Sequence, residues 1–74
     1  MAKINRMMQV YEFEGDNVVP VDHGSLVYTH TTLALERQYA DDLAKDAGVR
    51  NGEGLIVITD LETDEIINEL ECPF

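Results

Sequence analysis

The chain has 74 residues, 45% of them hydrophobic, and a formal net charge of −10 from fifteen acidic and five basic residues. This length predicts a single domain, residues 1–74, near the lower size limit for a self-sufficient core, and the hydrophobic content argues against disorder. The charge argues against direct binding to nucleic acid or to an anionic membrane, because both attract lysine and arginine. Two interpretations of the charge remain: plain solubility, or a partner with a positive surface.

Little in the sequence points to a cofactor or a membrane. Cys72 is the single cysteine, so an internal disulfide is impossible and a cytoplasmic, reducing compartment is favoured. No apolar run approaches the roughly 18 residues of a membrane span, and no long apolar segment follows the first residues as in a signal peptide. His23 and His30 lack metal-binding spacing, so we expect no metal and no other cofactor. Residues 1–5 are expected to fray, and for residues 72–74 the sequence leaves open whether they fray or fold back on Phe74.

Two extended stretches begin the chain. Residues 7–14 alternate between two faces, as a strand does. Turn-forming residues follow at 15–17, and a second extended stretch covers residues 18–28. Pro20 cannot donate a ladder hydrogen bond, which predicts an edge strand or a bulge at that position. We expect the two strands to pair as a hairpin.

An amphipathic helix is predicted to begin within Thr29–Thr32 and to run to about Ala47. A threonine at its start can accept free backbone N–H groups, and Gly48 suits the left-handed position past its end. About half of the helical circumference is apolar, which favours packing on a sheet. Glu36 lies inside that apolar arc. We interpret it either as an acid at the sheet's margin, favoured by the helix dipole, or as a functional carboxylate.

The most apolar run in the sequence, Leu55–Thr59, predicts a strand that is buried on both faces. The chain then turns, with Asp60 expected to hydrogen-bond its own turn and Asp64 expected to take a positive φ. It returns through Glu65–Glu71, which mixes apolar and acidic residues as a half-exposed strand does. Between Asp60 and Glu71 this hairpin holds six carboxylates and no lysine or arginine.

The predicted fold is α+β with the order β-β-α-β-β: a four-stranded antiparallel sheet with one helix packed on one face. Both faces of the strands carry apolar residues, so the sequence leaves open which face the helix covers. The uncovered set would form a larger patch than small monomers usually expose, and we therefore predict a homodimer. The residues assigned to its apolar interface are Met8, Val10, Ile56, Ile58 and Ile67.

Two motifs with catalytic or metal-binding residue types are present but incomplete. Asp22, His23 and Ser25 have the residue types of a catalytic triad, but in a strand Asp22 would face away from the other two. Residues 60–71 place acids at four positions of a calcium-loop template, yet Glu65 stands where the loop needs glycine, and strands flank it. We therefore predict neither an enzyme nor a calcium site, and we assign no catalytic residues.

The carboxylates themselves are the predicted partner-binding residues. Acids two positions apart on a strand lie about 6.8 Å apart on one face, and each strand of duplex DNA carries a phosphate about every 3.4 Å along the axis. Carboxylates fixed at such spacings can occupy a basic groove built for a nucleic-acid backbone, and charge complementarity speeds the encounter. The predicted acidic surface consists of Asp60, Glu62, Asp64, Glu65, Glu69, Glu71, Asp41, Asp42, Asp46, Glu12 and Glu14.

A very short, strongly acidic α+β chain without catalytic residues resembles the small inhibitors made by bacteriophages, among them anti-CRISPR proteins and anti-restriction DNA mimics. The resemblance covers the whole chain in size, charge and organisation. It implies a non-catalytic inhibitor that docks a carboxylate-rich surface on a basic nucleic-acid-binding protein or complex, in the cytoplasm of a bacterial host cell. The alternative is a dimeric interaction or adaptor module that binds through an apolar sheet face or a strand edge.

Overall fold

The computed structural model describes residues 5–72 and shows a four-stranded antiparallel sheet with one helix. The elements are β1 (Asn5–Glu14), β2 (Asn17–Thr29), α1 (Leu33–Ala47), β3 (Gly54–Asp60) and β4 (Glu65–Glu71). The strand order is β2-β1-β3-β4, which places β2 and β4 at the two edges of the sheet. The predicted α+β fold and its element order are confirmed. Across residues 5–72, no helix combines the length and apolar character that crossing a membrane requires.

The first and last of the described residues, Asn5 and Cys72, belong to the fold. Asn5 pairs with Thr29 in the ladder between β1 and β2. Cys72 is fully buried, and its carbonyl oxygen accepts a hydrogen bond of 2.7 Å from the side-chain amide of Asn51. The prediction of fraying is therefore wrong for Asn5, which backbone pairing holds, and of the two alternatives left open for Cys72 its burial excludes fraying. The remaining residues of both ends, 1–4 and 73–74, lie outside the described residues.

The ends of α1 follow the predicted capping chemistry. Thr32 is the N-cap, and its Oγ1 accepts a hydrogen bond of 3.3 Å from the backbone N–H of Leu35. Gly48 follows the helix with φ 72°, a left-handed conformation that costs glycine little. Leu33 and Leu35, which belong to the predicted apolar arc, are 60% and 41% exposed. Their place towards the sheet is taken by Glu36, which is buried.

The core lies between α1 and one face of the sheet. Met8, Val10, Ile56 and Ile58 are at most 2% exposed and pack in one cluster with Ala40, Leu43 and Ala44 of the helix. The assignment of Met8, Val10, Ile56 and Ile58 to an exposed dimer interface is therefore corrected. They are the apolar residues that the helix covers, and their burial is the main source of the fold's stability.

The other face of the sheet carries no helix; we call it the open face. Its central row runs from Ser25 through Gln9 and Val57 to Glu69, and the adjacent row runs from Val27 through Met7 and Thr59 to Ile66. Val57 is 8% exposed at the centre of the open face, whereas Val27 and Ile66 at its two edges are 62% and 63% exposed. The apolar residues that the helix leaves uncovered are thus those on the face of Met7 and Val57, not those on the face of Met8 and Ile58.

Each edge strand has an irregularity in its ladder. On β2, residues Val21–Gly24 loop out between the pairs Gln9–Ser25 and Tyr11–Pro20, and His23 takes φ 62°. On β4, Ile67 is the extra residue between the partners of Ile58 and Thr59, and it is 41% exposed. Pro20 therefore lies on an edge strand beside a bulge, as predicted from its missing N–H.

Candidate functional site

The tip of the second hairpin holds its acids in a defined turn. Asp60 Oδ1 accepts a hydrogen bond of 2.8 Å from the backbone N–H of Glu62. Asp64 takes φ 62°, and its N–H donates to the carbonyl of Asp60 at 2.7 Å. Both predictions for this turn are confirmed. The backbone N–H of Leu61 donates to the carbonyl of Asn5 at 3.1 Å, so the tip lies beside the start of β1.

The acids of β4 lie beside the open face. Glu69 pairs with Val57 and Glu71 pairs with Leu55, so the two side chains share one face of the edge strand. Both residues are exposed. They are the predicted i, i+2 pair of carboxylates, now placed next to an apolar surface.

The helical acids approach β4 at one point. Asp42 and Asp46 are exposed, and Asp41 is half-buried. Asp41 and Glu71 line a cleft of about 360 Å³ between the helix and β4, together with Arg37. Asp41 and Glu71 thus contribute to one cleft, in which Arg37 offsets part of the negative charge.

Glu12 and Glu14 lie apart from the acids of the hairpin tip. Glu14 pairs with Asn17 beside the turn between β1 and β2, whereas the acidic hairpin tip adjoins Asn5 at the other end of β1. Ten strand residues separate these ends by about 30 Å. The tip acids and Glu14 therefore lie at opposite ends of the sheet, whereas Glu71 lies at the Glu12 end.

A groove at the β4 edge combines carboxylates with apolar groups. It has a volume of about 320 Å³, and its lining includes Phe13, Asn51, Gly54, Leu55, Glu69 and Glu71; we call it the β4 groove. Phe13 is 43% exposed. Two carboxylates next to an aromatic ring and an aliphatic wall suit a cation on an apolar stem, as in arginine or lysine.

Three local contacts shape the β4 groove. The backbone N–H of Phe13 donates to the carbonyl of Glu53 at 2.9 Å, which draws the loop after the helix onto the end of β1. Asn51 binds the carbonyl of Cys72 and so ties the same loop to the end of β4. A Cβ atom on Gly54 would lie 2.1 Å from the carbonyl oxygen of Tyr11, so only glycine fits this position.

Sequence reasoning found the two carboxylates of the β4 groove but not Phe13, Asn51 or Leu55 as their neighbours. The groove draws its residues from β1, the loop, β3 and β4. The register that places Tyr11, Leu55 and Glu71 in one row is set by strand pairing between distant segments. No local pattern in the sequence predicts that register.

A buried polar cluster lies under the start of the helix. Glu36 is 6% exposed, and its Oε2 accepts hydrogen bonds from Arg6 Nη1 at 2.9 Å and from the Tyr28 hydroxyl at 2.5 Å. The pKa of Tyr28 is raised well above its usual range by burial, and the Glu36 carboxylate adds to the rise. Glu36 lies in the first turn of α1, where an acid is favoured by the helix dipole, and it is buried and ion-paired there. It joins α1 to β1 and β2, and its contacts give it a structural role.

The remaining sequence motifs show no assembled chemistry in the described part of the chain. Asp22, His23 and Ser25 are all exposed and lie in or next to the β2 bulge. Within residues 5–72, no group of three or more His, Cys, Asp or Glu side chains is placed to hold a metal ion. Burial raises the pKa of the Cys72 thiol, with a further contribution from Glu53, which disfavours the reactive thiolate.

Comparison with known proteins gives no relative for this chain. No protein-family model, no curated protein and no solved structure matches it.

Proposed function

We propose that this protein is a non-catalytic inhibitor of the phage-encoded, anti-CRISPR-like type, which docks its acidic β4 edge on a basic nucleic-acid-binding protein or complex. The proposal includes action in the cytoplasm of a bacterial host cell. The observation that carries it is the β4 groove, where Glu69 and Glu71 stand beside Phe13 and Leu55 on a rigid sheet.

The charge distribution supports a cationic partner. Six carboxylates and no base lie between Asp60 and Glu71, and this segment forms an edge of the sheet that carries little helix cover. A partner groove that normally holds a phosphate backbone presents arginine and lysine side chains at the protein surface. One such side chain can place its cation between Glu69 and Glu71 and its aliphatic stem against Phe13.

The hairpin tip and the helix extend this surface in two directions. The tip residues Glu62, Asp64 and Glu65 continue the acidic edge beyond the start of β4, and Asp41 adds a carboxylate across the cleft from Glu71. Glu12 and Glu14 flank Phe13 on β1, but strand alternation directs their side chains to the other face of the sheet, outside this surface. The proposed docking surface is therefore smaller than the set of acids that the sequence predicts.

The test is affinity capture from a nuclease-treated bacterial lysate at about 50 mM and about 500 mM salt, with bound proteins identified by mass spectrometry. The wild-type chain is compared with the double variant Glu69→Lys/Glu71→Lys. We expect wild type to capture a nucleic-acid-binding protein at low salt, and the double variant to bind that protein about 100-fold more weakly. The captured protein should also lose nucleic-acid binding when wild type is added.

The matched control is Asp42→Lys/Asp46→Lys, which changes the net charge by the same amount at two exposed positions of the helix that do not line the β4 groove. It should bind as wild type does. Equal loss in both double variants would show that only overall charge matters and would contradict a specific site. Capture that is insensitive to salt and to both reversals would contradict the proposal altogether.

A second candidate function rests on the open face. Phe13, Val27 and Ile66 leave 43%, 62% and 63% of their surfaces exposed on a sheet face without a helix. An adaptor that binds an apolar partner through this face would bind equally well at high salt, because burial of apolar surface is not screened by ions. The same capture experiment separates the two functions by its salt dependence.

A further inference from the structure

The outer edge of β2 is neutral, in contrast to the acidity of the rest of the chain. From Gly24 to Leu35 the sequence contains no Asp, Glu, Lys or Arg. Within residues 5–72, β2 pairs only with β1, so its outer edge has no hydrogen-bonded neighbour. Residues 25–29 pair with β1 in unbroken register and form a regular strand.

This part of β2 lacks the devices that usually protect a sheet edge. Proteins guard edges with charged side chains, proline or bulges. The edge strand β4 carries three glutamates in seven residues, and the first half of β2 carries Pro20 and the bulge. Residues 25–29, Ser-Leu-Val-Tyr-Thr, have none of these, and their unpaired backbone groups are available to another strand.

The sequence of this segment is close to self-complementary. If two copies of it pair in antiparallel fashion about Val27, then Leu26 faces Tyr28 of the other copy and Ser25 faces Thr29. Paired β-branched residues, an aliphatic–aromatic pair and a hydroxyl pair are all favourable across strands. A two-fold axis at Val27 therefore satisfies the isologous pairing that a symmetric dimer requires.

The lack of charge on this edge favours a second copy of the chain as its partner. Two copies that each carry −10 repel one another most where their acids meet, and residues 25–29 form an edge where they can approach with less of that repulsion. A cationic partner would instead favour the acidic β4 edge. Because the neutral edge lies on the opposite side of the sheet from β4, self-association there leaves the proposed docking surface free.

We propose that two copies of this chain associate through β2, antiparallel and centred on Val27, so that their sheets join into one continuous sheet. The inference goes beyond the proposed inhibitory function and does not depend on it. It also moves the dimer contact away from Met8, Val10, Ile56 and Ile58, which are buried in the core of one chain.

Two matched substitutions test the position of the contact. Val27 and Ile66 lie in the same cross-strand row of the open face, at opposite edges, with exposures of 62% and 63%. Val27→Glu places two like charges opposite each other across the proposed axis, and we expect it to raise the dimer dissociation constant about tenfold or more. Ile66→Glu adds the same charge at the β4 edge and should leave the dissociation constant unchanged.

Sedimentation velocity gives the dissociation constant, and a thermal melt checks that both variants fold. Wild type should sediment at twice the chain mass of 8.3 kDa. Loss of the dimer in both variants would indicate stacking of open faces, and loss only in Ile66→Glu would indicate the β4 edge; either result overturns the proposal. So does a wild-type chain that remains a monomer at millimolar concentration.

Amide hydrogen exchange gives a second, independent measurement on wild type. The outward N–H groups of residues 25–29 should exchange more slowly as protein concentration rises, whereas those of β4 should not change. Exchange that is independent of concentration would overturn the proposal. The salt dependence distinguishes this inference from the proposed function. Added salt screens the repulsion between two acidic chains and should strengthen the dimer, whereas it should weaken binding to a cationic partner.

Discussion

The edge strands β2 and β4 differ in charge, in helix cover and in the way their ladder irregularities are held. The helix packs over β1 and β2, and it buries Glu36 against Arg6 and Tyr28 on that side. On β4, residues 65–69 are all exposed, and three of the seven strand residues are glutamates. Carboxylates therefore occur on both sides, but only the β2 side encloses one.

The two bulges also differ in the hydrogen bonds that hold them. On the β2 side, the Gln9 side-chain amide donates to the carbonyls of Val21 and Gly24 at 3.2 and 3.3 Å and so closes the bulge. On the β4 side, Asn68 Oδ1 accepts only from the adjacent backbone N–H of Glu69, at 2.9 Å in exposed surroundings. One edge is thus tied to the core by long-range polar contacts, and the other is left free to meet a partner. Stability should depend on the first, and binding of a cationic partner on the second.

The largest expected difference between the two sides concerns their carboxylates. Glu36→Ala leaves Arg6 and the Tyr28 hydroxyl without their acceptor under the helix, and we expect a loss of about 3–5 kcal/mol in the free energy of unfolding. Glu69→Ala on the β4 edge should change it by less than about 0.5 kcal/mol. Urea denaturation followed by circular dichroism measures both.

Glu36→Gln refines this measurement, since it keeps an acceptor for Tyr28 and nearly the same volume. It should be destabilised less than Glu36→Ala. If Glu36→Ala and Glu69→Ala are equally stable, then the buried cluster does not hold the helix to the sheet, and the contrast between the two sides is lost.

A smaller difference is expected between the amides beside the two bulges. Gln9→Ala leaves partly buried carbonyl groups of the β2 bulge without their donor and should cost about 1–2 kcal/mol. Asn68→Ala removes an exposed local hydrogen bond and should change stability by less than about 0.5 kcal/mol. Gln9→Met, which keeps the side-chain volume, separates the lost hydrogen bonds from lost packing. A larger effect at Asn68 than at Gln9 would reverse the assignment of the stable edge.

The smallest effect concerns Tyr28 in alkaline solution. Because its pKa is raised in the folded state, the neutral phenol contributes stability that is fully present below the ordinary phenol pKa of about 10 and is lost as the pH rises beyond it. The free energy of unfolding of Tyr28→Phe should be about 1 kcal/mol below that of wild type at neutral pH. Urea denaturation at a series of pH values gives a curve of this free energy for each protein, and the two curves should converge at high pH. Curves that stay parallel would show that Tyr28 does not donate to Glu36 in solution.

The sequence predicts the element order well because the signals for it are local. Turn residues, the threonine cap and the glycine after the helix each act within a few positions, and the structure places Thr32, Gly48 and Asp64 as those signals indicate. The covered face was not predictable, since both faces of β1 and β3 are apolar. The structure resolves this through contacts such as Arg6 with Glu36, which are 30 residues apart.

The candidate site was predictable in its charge and not in its shape. Glu69 and Glu71 follow from strand alternation, whereas their proximity to Phe13 and Asn51 depends on the pairing of segments far apart in sequence. The same limit explains why the sequence groups Glu12 and Glu14 with the hairpin-tip acids, which lie at the opposite end of the sheet. The composition gives the number of charged residues, and only the fold determines at which end or edge of the sheet each one lies.

The burial of Cys72 allows its thiol to serve as a native probe of opening at the β4 edge. It is the single cysteine, it is fully enclosed, and it follows directly after β4. A thiol-specific reagent can reach it only when the chain after β4 detaches from the core, so the rate of labelling under native conditions measures how often the acidic edge opens. A bound partner that clamps this edge would slow the labelling, and the occupancy of the surface can then be followed without any substitution or attached dye.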